Sequence, residues 1–287
     1  MVSACGIEQT TTAVVETPEV FSIPTSTSSP VPPTETPIPM AAIINGEGIT
    51  LEEFESELNR YISAQGSGTS IDRQTAQTIV LEDMISQTLL IQGAVENGYE
   101  ISEDLVEARL DDLINEAGGE AVFNEWLGAN GYNQDTFGNV LEKSIKVAWM
   151  RDQILAQVPH TAKHMFLRQI FFLNADKANQ VYGELESGRD FATVADEYDP
   201  VTGGELGWVP RNYLPHKEIE EAVFLLAPGE YSQVIETSVG YHIVQVLEIE
   251  DERSLSPDAS LIWQELALRD WVNLRREVSN IEILALE

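Results

Sequence analysis

The chain has 287 residues, and its 48 acidic against 16 basic side chains give a formal net charge of −32 at pH 7. Binding to nucleic acid through phosphate contacts needs a basic surface, so this balance excludes a nucleic-acid partner and disfavours docking on anionic lipid through a basic face. With 43% hydrophobic residues the chain can still bury a core. One cysteine and four histidines are too few for a disulfide framework or a metal site with several cysteines. We therefore expect no metal site.

The first forty residues combine the lone cysteine with the composition of a spacer. Cys5 follows the run Val2-Ser3-Ala4, which resembles the lipobox of bacterial lipoproteins. Residues 7–40 are rich in threonine, proline, serine and glutamate, a composition that forms an extended spacer rather than a core. We expect residues 1–40 to be a disordered linker whose Cys5 carries a lipid anchor, which places the chain outside the cytoplasm on a bacterial membrane. The basic and apolar regions of a signal peptide do not precede Cys5, so the alternative is a disordered tail with an incidental cysteine.

Residues 41–160 carry the patterns of a hairpin followed by helices. A hairpin is predicted with its turn at Asn45-Gly46. Thr50 and Glu53 have the spacing of a capping box, which predicts the start of the first helix. Apolar residues at helical spacing predict four more helices, over about 71–97, after Ser102, around Phe123 and over about 134–158. The segment is therefore predicted to be an all-helical domain.

Four runs of this segment, taken in order, have the pattern of a known module. They are Ile44–Phe54, Leu81–Ala94, Gly98–Ser102 and Trp126–Phe137. Together they resemble the N-terminal chaperone domain of proteins of the SurA, PrsA and trigger-factor type. The resemblance implies a module that holds unfolded polypeptide clients.

Composition and hydrophobic period change in residues 164–250. The β-branched and aromatic run 168–172 predicts a buried strand. Helices are predicted over 175–187, after Asp190 and through 219–225, and further strands over 231–235 and 241–249. Strands and helices that alternate in this way predict a small α/β domain. The fold class expected for the whole chain is α+β, an all-α module joined to this domain.

Four motifs of the second domain carry a more specific resemblance. They are Gly188–Ala195, Gly203–Trp208, Ala222–Ser232 and Val234–Ile243. They resemble the parvulin family of peptidyl-prolyl isomerases, also called rotamases. The resemblance implies an enzyme that isomerises X–Pro bonds in unfolded or proline-containing polypeptide clients and needs neither metal nor cofactor.

The resemblance also assigns candidate site residues. The catalytic candidates are His242, Thr237, Gln169 and Asp199. The candidates for the substrate pocket are Leu214, Ile219, Phe224, Leu206 and Trp208, with packing in the core as the favoured interpretation of Trp208. Leu214 and Ile219 lie five residues apart where the family pattern has four, so one residue is inserted between them.

Gln169 is the main departure from the family pattern. The family motif reads Arg-His-Ile-Leu at this point, whereas this chain has Arg168-Gln169-Ile170-Phe171. A glutamine donates and accepts hydrogen bonds but does not titrate. Two interpretations follow: an isomerase of reduced activity, or a holdase whose parvulin domain binds peptides without catalysis.

Two smaller expectations complete the analysis. His160 and His164 have a spacing that puts two side chains on one helix face, but Pro159 precedes them, and a pair of linker residues is the favoured interpretation. Residues 256–280 predict a final helix with a broad apolar face and two tryptophans. In foldases of this type the last helix returns to the N-terminal module, so we expect it to dock there. The whole chain is thus predicted to be an extracytoplasmic folding factor.

Overall fold

The computed structural model describes residues 38–65 and 71–284, so Cys5 and almost all of the predicted linker lie outside the described residues. The described part contains a helical module and a four-stranded sheet covered by helices. No helix in this part of the chain is both long enough and apolar enough to cross a membrane.

The helical module begins with the predicted hairpin. Strands β1 (Met40–Ile44) and β2 (Glu47–Thr50) pair antiparallel, and Thr50 caps helix α1 (Leu51–Ala64) with the predicted capping box. A third strand, β7 (Ile281–Ile283), pairs antiparallel with the other edge of β1. This strand was not predicted from the sequence. The module is thus helical apart from a small sheet that β7 completes.

Four helices follow α1 in the module. They are α2 (Arg73–Glu96), α3 (Glu103–Ala117), α4 (Glu120–Ala129) and α5 (Gln134–Leu155). Helix α2 supplies the largest share of the core, in which Leu81, Ile85 and Leu89 are buried against α1 and the hairpin. By contrast, α3 has no buried residue. The core therefore lies at the α1–α2 end of the module, and the α3 end is only half-buried.

The C-terminal helix α9 (Pro257–Glu277) packs on α2 and α5. Trp271 of α9 lies so close to Gly93 of α2 that a Cβ at position 93 would be 2.7 Å from its ring. The arginines Arg275 and Arg276 form ion pairs with two glutamates of α2. The C-terminal helix therefore completes the helical module, and the expected α+β class is confirmed.

The second part of the chain is an antiparallel sheet. Its strands are β3 (Thr161–Phe172), β4 (Glu205–Pro210), β5 (Ile235–Thr237) and β6 (Gly240–Ser254), arranged in the order β4-β3-β6-β5. Strand β3 begins seven residues earlier than the predicted run, because its N-terminal half also pairs with β6. His164 lies in this half and is 3% exposed, so the interpretation of this histidine as a linker residue is wrong.

Helices cover both faces of the sheet. On one face, α6 (Ala175–Glu186) and α7 (Phe191–Tyr198) pack against Ile170, Phe172 and Ile243. On the other face, α8 (Lys217–Val223) packs against alternate residues of the same strands, which include Met165, Leu167, Val244 and Val246. We call the buried residues on this second face the α8 cluster; they are Met165, Leu167, Val209, Ile219, Val223, Phe224, Val244 and Val246.

The contact between Gly93 and Trp271 leads to a stability prediction. Replacing a helical glycine in open space by alanine stabilises a helix by about 0.5–1 kcal/mol. At Gly93 the added methyl group would collide with the packed Trp271 ring, and overpacking costs about 1–3 kcal/mol. We expect Gly93→Ala to lower the free energy of unfolding by about 1 kcal/mol, measured by urea denaturation. Gly138→Ala in α5, where no atom lies within 4 Å of the new Cβ, is the matched control and should be neutral or stabilising. Equal effects at the two positions would contradict the packing argument.

Candidate active site

The pairing of β3 with β6 puts three side chains at one end of the sheet. Phe171 lies opposite His242, and Gln169 lies opposite Val244. Because side chains alternate along a strand, Gln169, Phe171 and His242 are on the face that carries the α8 cluster. Phe171 is 40% exposed, and the centroid of its ring lies 5.0 Å from that of His242.

The His242 ring is held at both of its nitrogens. Nε2 lies 3.0 Å from Oγ1 of Thr237, and Nδ1 lies 3.1 Å from Oε1 of Gln169. Thr237 is fixed in turn, because its hydroxyl is 3.1 Å from the carbonyl oxygen of Gly240. A neutral imidazole has one donor and one acceptor nitrogen, and a hydroxyl and an amide can each take either role. The structure thus joins three of the four catalytic candidates by hydrogen bonds, in the order Thr237, His242, Gln169. We call these three side chains the row.

Two glycines set the backbone around this row. Gly240 has φ +150°, and a Cβ there would lie 2.5 Å from the carbonyl oxygen of Phe172 and 2.7 Å from the ring of Phe171. Gly204 has φ +75°, and its Cβ would lie 2.1 Å from the carbonyl oxygen of Gln169. The backbone N–H of Gln169 donates to the carbonyl oxygen of Gly204 at 2.8 Å. Neither position has room for a side chain, which explains why the row needs glycine in both motifs.

The electrostatic environment keeps His242 neutral. Burial of the imidazole, which is 5% exposed, lowers the pKa of His242 below its usual value, and the nearby His216 lowers this pKa further. At pH 7 the ring is therefore uncharged and can donate with one nitrogen and accept with the other.

Three of the predicted pocket residues lie on the same face of the sheet as His242. Ile219 and Phe224 are buried members of the α8 cluster, and Leu214 is partly buried against it. The guanidinium carbon of Arg211 lies 4.3 Å from the centroid of the Phe224 ring, so a cation covers one face of this ring. Leu214, Ile219 and Phe224 thus form an apolar surface on the face of the sheet that carries the row.

Leu206 and Trp208, the other two pocket candidates, lie in β4. Trp208 packs against Phe166, with ring centroids 5.3 Å apart, and Arg253 lies over its ring. Its neighbour Val209 belongs to the α8 cluster, so the Trp208 side chain is on the opposite face of the sheet from His242. Leu206 lies at a bulge in β4 and is 36% exposed. The structure does not bring Trp208 to the row.

Asp199, the fourth catalytic candidate, caps the C-terminus of α7. Its carboxylate accepts hydrogen bonds from the backbone N–H groups of Val201 and Thr202 and from the Thr202 hydroxyl. The hydrogen bonds from Thr202 hold the pKa of Asp199 below its usual value. The described contacts of this carboxylate are thus within its own turn, which precedes Gly204.

Two residues beside the row, Phe171 and His216, were not predicted as site residues. The His216 ring is half-buried, and its centroid lies 6.0 Å from that of His242. His216 lies between Leu214 and Ile219, in the stretch that is one residue longer than the family pattern. That insertion was the available signal, whereas Phe171 differs from the family's leucine only in size. Within the described residues, no group of three or more His, Cys, Asp or Glu is placed to bind a metal ion.

Comparison with known proteins matches two family models to this chain. Residues 174–248 match the PPIC-type PPIASE domain, and residues 20–151 match the SurA-like N-terminal domain. The chain therefore belongs to the class of proteins that join a SurA-like N-terminal domain to a parvulin domain of the PpiC type.

Several individual proteins are similar in sequence to this chain. The foldase protein PrsA of Clostridium perfringens is 28% identical over 244 residues, which cover 71% of each chain. The periplasmic chaperone PpiD of Haemophilus influenzae is 44% identical over 87 residues, 29% of this chain and 14% of PpiD. The chaperone SurA of Ralstonia nicotianae is 32% identical over 147 residues, 45% of this chain and 29% of SurA. The chain is a foldase of the PrsA, PpiD and SurA type, with a chaperone module and an isomerase domain.

The lowered pKa of His242 makes stability depend on pH. Because the unfolded chain binds a proton at His242 more readily than the folded chain does, this contribution is present in full above about pH 6.5 and is lost as the pH falls through the folded pKa. We expect the calorimetric Tm to fall between pH 7.5 and pH 5.5 by more in the wild type than in His242→Gln, which has no titrating group there. A variant with the same pH dependence as the wild type would contradict this assignment.

Proposed function

We propose that this chain is an extracytoplasmic folding factor that isomerises X–Pro bonds in polypeptide clients, with His242, Thr237 and Gln169 as its polar site residues. The observation that carries the proposal is the hydrogen-bonded row of these three side chains above the apolar α8 cluster. Leu214, Ile219 and Phe224 form the apolar part of the site. We propose Asp199 and Leu206 as outlying members, and we assign Trp208 to packing.

The chemistry of prolyl isomerisation suits such a site. Rotation about an X–Pro bond disrupts amide resonance, so the uncatalysed reaction takes tens of seconds or longer. No covalent bond is made or broken, so neither a nucleophile nor a metal is required. The site accelerates rotation by binding the twisted amide more tightly than either planar form. An apolar floor holds the proline ring, and fixed polar groups beside it favour the twisted state.

The helical module offers a surface for unfolded clients. Phe123, Trp126, Tyr132 and Phe137 form a cluster of aromatic rings on α4, the start of α5 and the loop between them. Trp126 is 47% exposed and Val122 is 50% exposed. A cavity of about 440 Å³ lies beside the cluster, with Leu127 and Tyr132 in its lining. Exposed aromatic and aliphatic side chains next to an open cavity fit the capture of apolar polypeptide segments.

A second candidate function is a holdase whose parvulin domain binds peptides without catalysing rotation. Gln169 favours it, because a glutamine cannot exchange a proton with His242 as an imidazole can. The aromatic cluster of the helical module, with its exposed Trp126, serves this function equally well.

We further propose three domains and an anchor. The linker and lipidation segment spans residues 1–40. The chaperone domain spans residues 41–160, and the C-terminal helix of residues 256–280 docks on it. The parvulin domain spans residues 164–250. The lipobox-like run before Cys5 and the proline-rich stretch after it support a lipid anchor that tethers the folding factor to the outer face of the bacterial cell membrane. The relative PpiD is a periplasmic chaperone, which supports a location outside the cytoplasm.

An isomerisation assay on a proline tetrapeptide, coupled to a protease, tests the first function. We expect wild-type activity above buffer and a fall of about tenfold in Thr237→Val, which keeps the shape of the side chain but removes the hydroxyl that holds His242. Thr78→Val on the exposed face of α2 is the matched control and should leave the rate unchanged. Wild-type rates equal to buffer and unchanged in His242→Ala would exclude the isomerase function. An active wild type whose rate is unchanged in His242→Ala would instead remove His242 from the site.

The Gln169→His variant separates the two candidates in the same assay. If the chain is a holdase alone, the variant gains isomerase activity, and its protection of a client against aggregation stays at the wild-type level. A wild type that isomerises as fast as this variant rules out the holdase with an inactive domain.

The anchor has its own test. We expect mass spectrometry of the protein isolated from its native host to find diacylglycerol on Cys5, and Cys5→Ser to release the protein from the membrane fraction. An unmodified Cys5 in the mature protein would refute the anchor and leave the folding function untouched.

A further inference from the structure

The hydrogen-bonding capacity of His242 is already taken up within the protein. Its Nε2 is occupied by Thr237 and its Nδ1 by Gln169, and the residue is 5% exposed. A ring with both nitrogens occupied cannot hydrogen-bond a client without breaking the row. His242 is therefore suited to positioning its neighbours rather than to contacting the prolyl bond.

His216 is the other imidazole at this end of the sheet. Its ring is half-buried, lies 6.0 Å from the His242 ring between centroids, and is inclined to it by 42°. His216 occupies the N-cap position of α8, yet its side chain makes no capping hydrogen bond. Within the described residues, no hydrogen bond engages either nitrogen of this ring. His216 thus presents unused hydrogen-bonding groups at the site, where His242 has none.

The loop that carries His216 is held in place from two sides. The backbone N–H of Asn212 donates to Oε2 of the buried Glu220 at 2.6 Å. The indole N–H of Trp263 in α9 donates to the carbonyl oxygen of Arg211 at 2.8 Å. Leu214, two residues before His216, packs on the α8 cluster. These contacts anchor the loop before His216 and link it to α8 after His216, so the backbone position of His216 is set before a client arrives.

We propose that His216 contacts the client and that its ring N–H donates a hydrogen bond to the nitrogen of the prolyl bond as this bond twists. The proposal rests on the proposed isomerase function and adds a residue to that site. In the planar amide the nitrogen lone pair is delocalised into the carbonyl group, so the nitrogen accepts hydrogen bonds poorly. In the twisted amide the lone pair is localised and accepts well. A donor at this point therefore stabilises the transition state more than the ground state.

Variants of His216 in the full chain test this role by steady-state kinetics on a proline tetrapeptide. We expect His216→Phe to lower kcat/KM by about tenfold through kcat, with little change in KM, because the lost hydrogen bond forms only in the transition state. His216→Gln keeps an N–H donor and should recover most of the rate. His160→Phe removes an exposed imidazole from the stretch before β3 and is the matched control, which should keep wild-type kinetics. Wild-type kcat/KM in His216→Phe would overturn the proposal while the isomerase function stands.

An NMR titration separates client contact from a structural role. We expect the side-chain signals of His216 to shift when a proline tetrapeptide is added at a concentration that shifts the amide signals of β6, while those of His160 stay in place. Lost activity in His216→Phe combined with unmoved His216 signals in the wild type would overturn the contact. A wild type that binds this peptide without isomerising it would refute the isomerase function, and the His216 signals would still decide the contact.

Discussion

Strands β3 and β6 pair antiparallel along nearly their whole length, from Thr161 opposite Ser254 to Phe172 opposite Tyr241. This register brings Gln169 and His242 together, since a slip of one residue would turn either side chain to the other face of the sheet. Burial resists such a slip, because Val244 and Val246 are in the α8 cluster while Ile243 is buried on the opposite side. Strands β4 and β5 pair onto these two, and α9 continues from β6. The site, the sheet and the return of the chain to the helical module therefore all depend on one strand pair.

Features of the fold that depend on neighbouring residues could be predicted from the sequence. The hairpin turn at Asn45-Gly46 and the capping box of Thr50 and Glu53 involve groups within a few positions of one another, and both were found. Strand β7 was missed because three residues carry no usable period and their partner, β1, lies more than 230 positions away in the chain. The early start of β3 was missed for the same reason, since its first residues become a strand only by pairing with the end of β6.

In the candidate site too, contacts between residues close in sequence could be predicted, whereas contacts that depend on distant parts of the chain could not. His242 and Thr237 are five positions apart and meet across a tight turn, so a single motif contains both and indicated both as site residues. Gln169 was assigned to the site from its position in the family motif, and the register of β3 and β6 brings its side chain to His242. The face occupied by Trp208 could not be derived from the sequence, because the bulge at Leu206 changes the alternation of side chains along β4. The approach of His216 to His242 depends on the path of an inserted loop that Glu220 and Trp263 hold from elsewhere in the structure.

Pairing between β1 and β7 also constrains the order in which the chain can fold. The N-terminal module needs Ile281–Ile283 to complete its sheet and α9 to cover α2, so it cannot finish folding until the chain has been synthesised through residue 283. Residues 161–254 form a continuous segment whose strands pair only with one another. Domains usually fold in the order of their synthesis. Here the inserted domain can be complete first, while the module that encloses it in sequence still exposes its apolar helices to other chains.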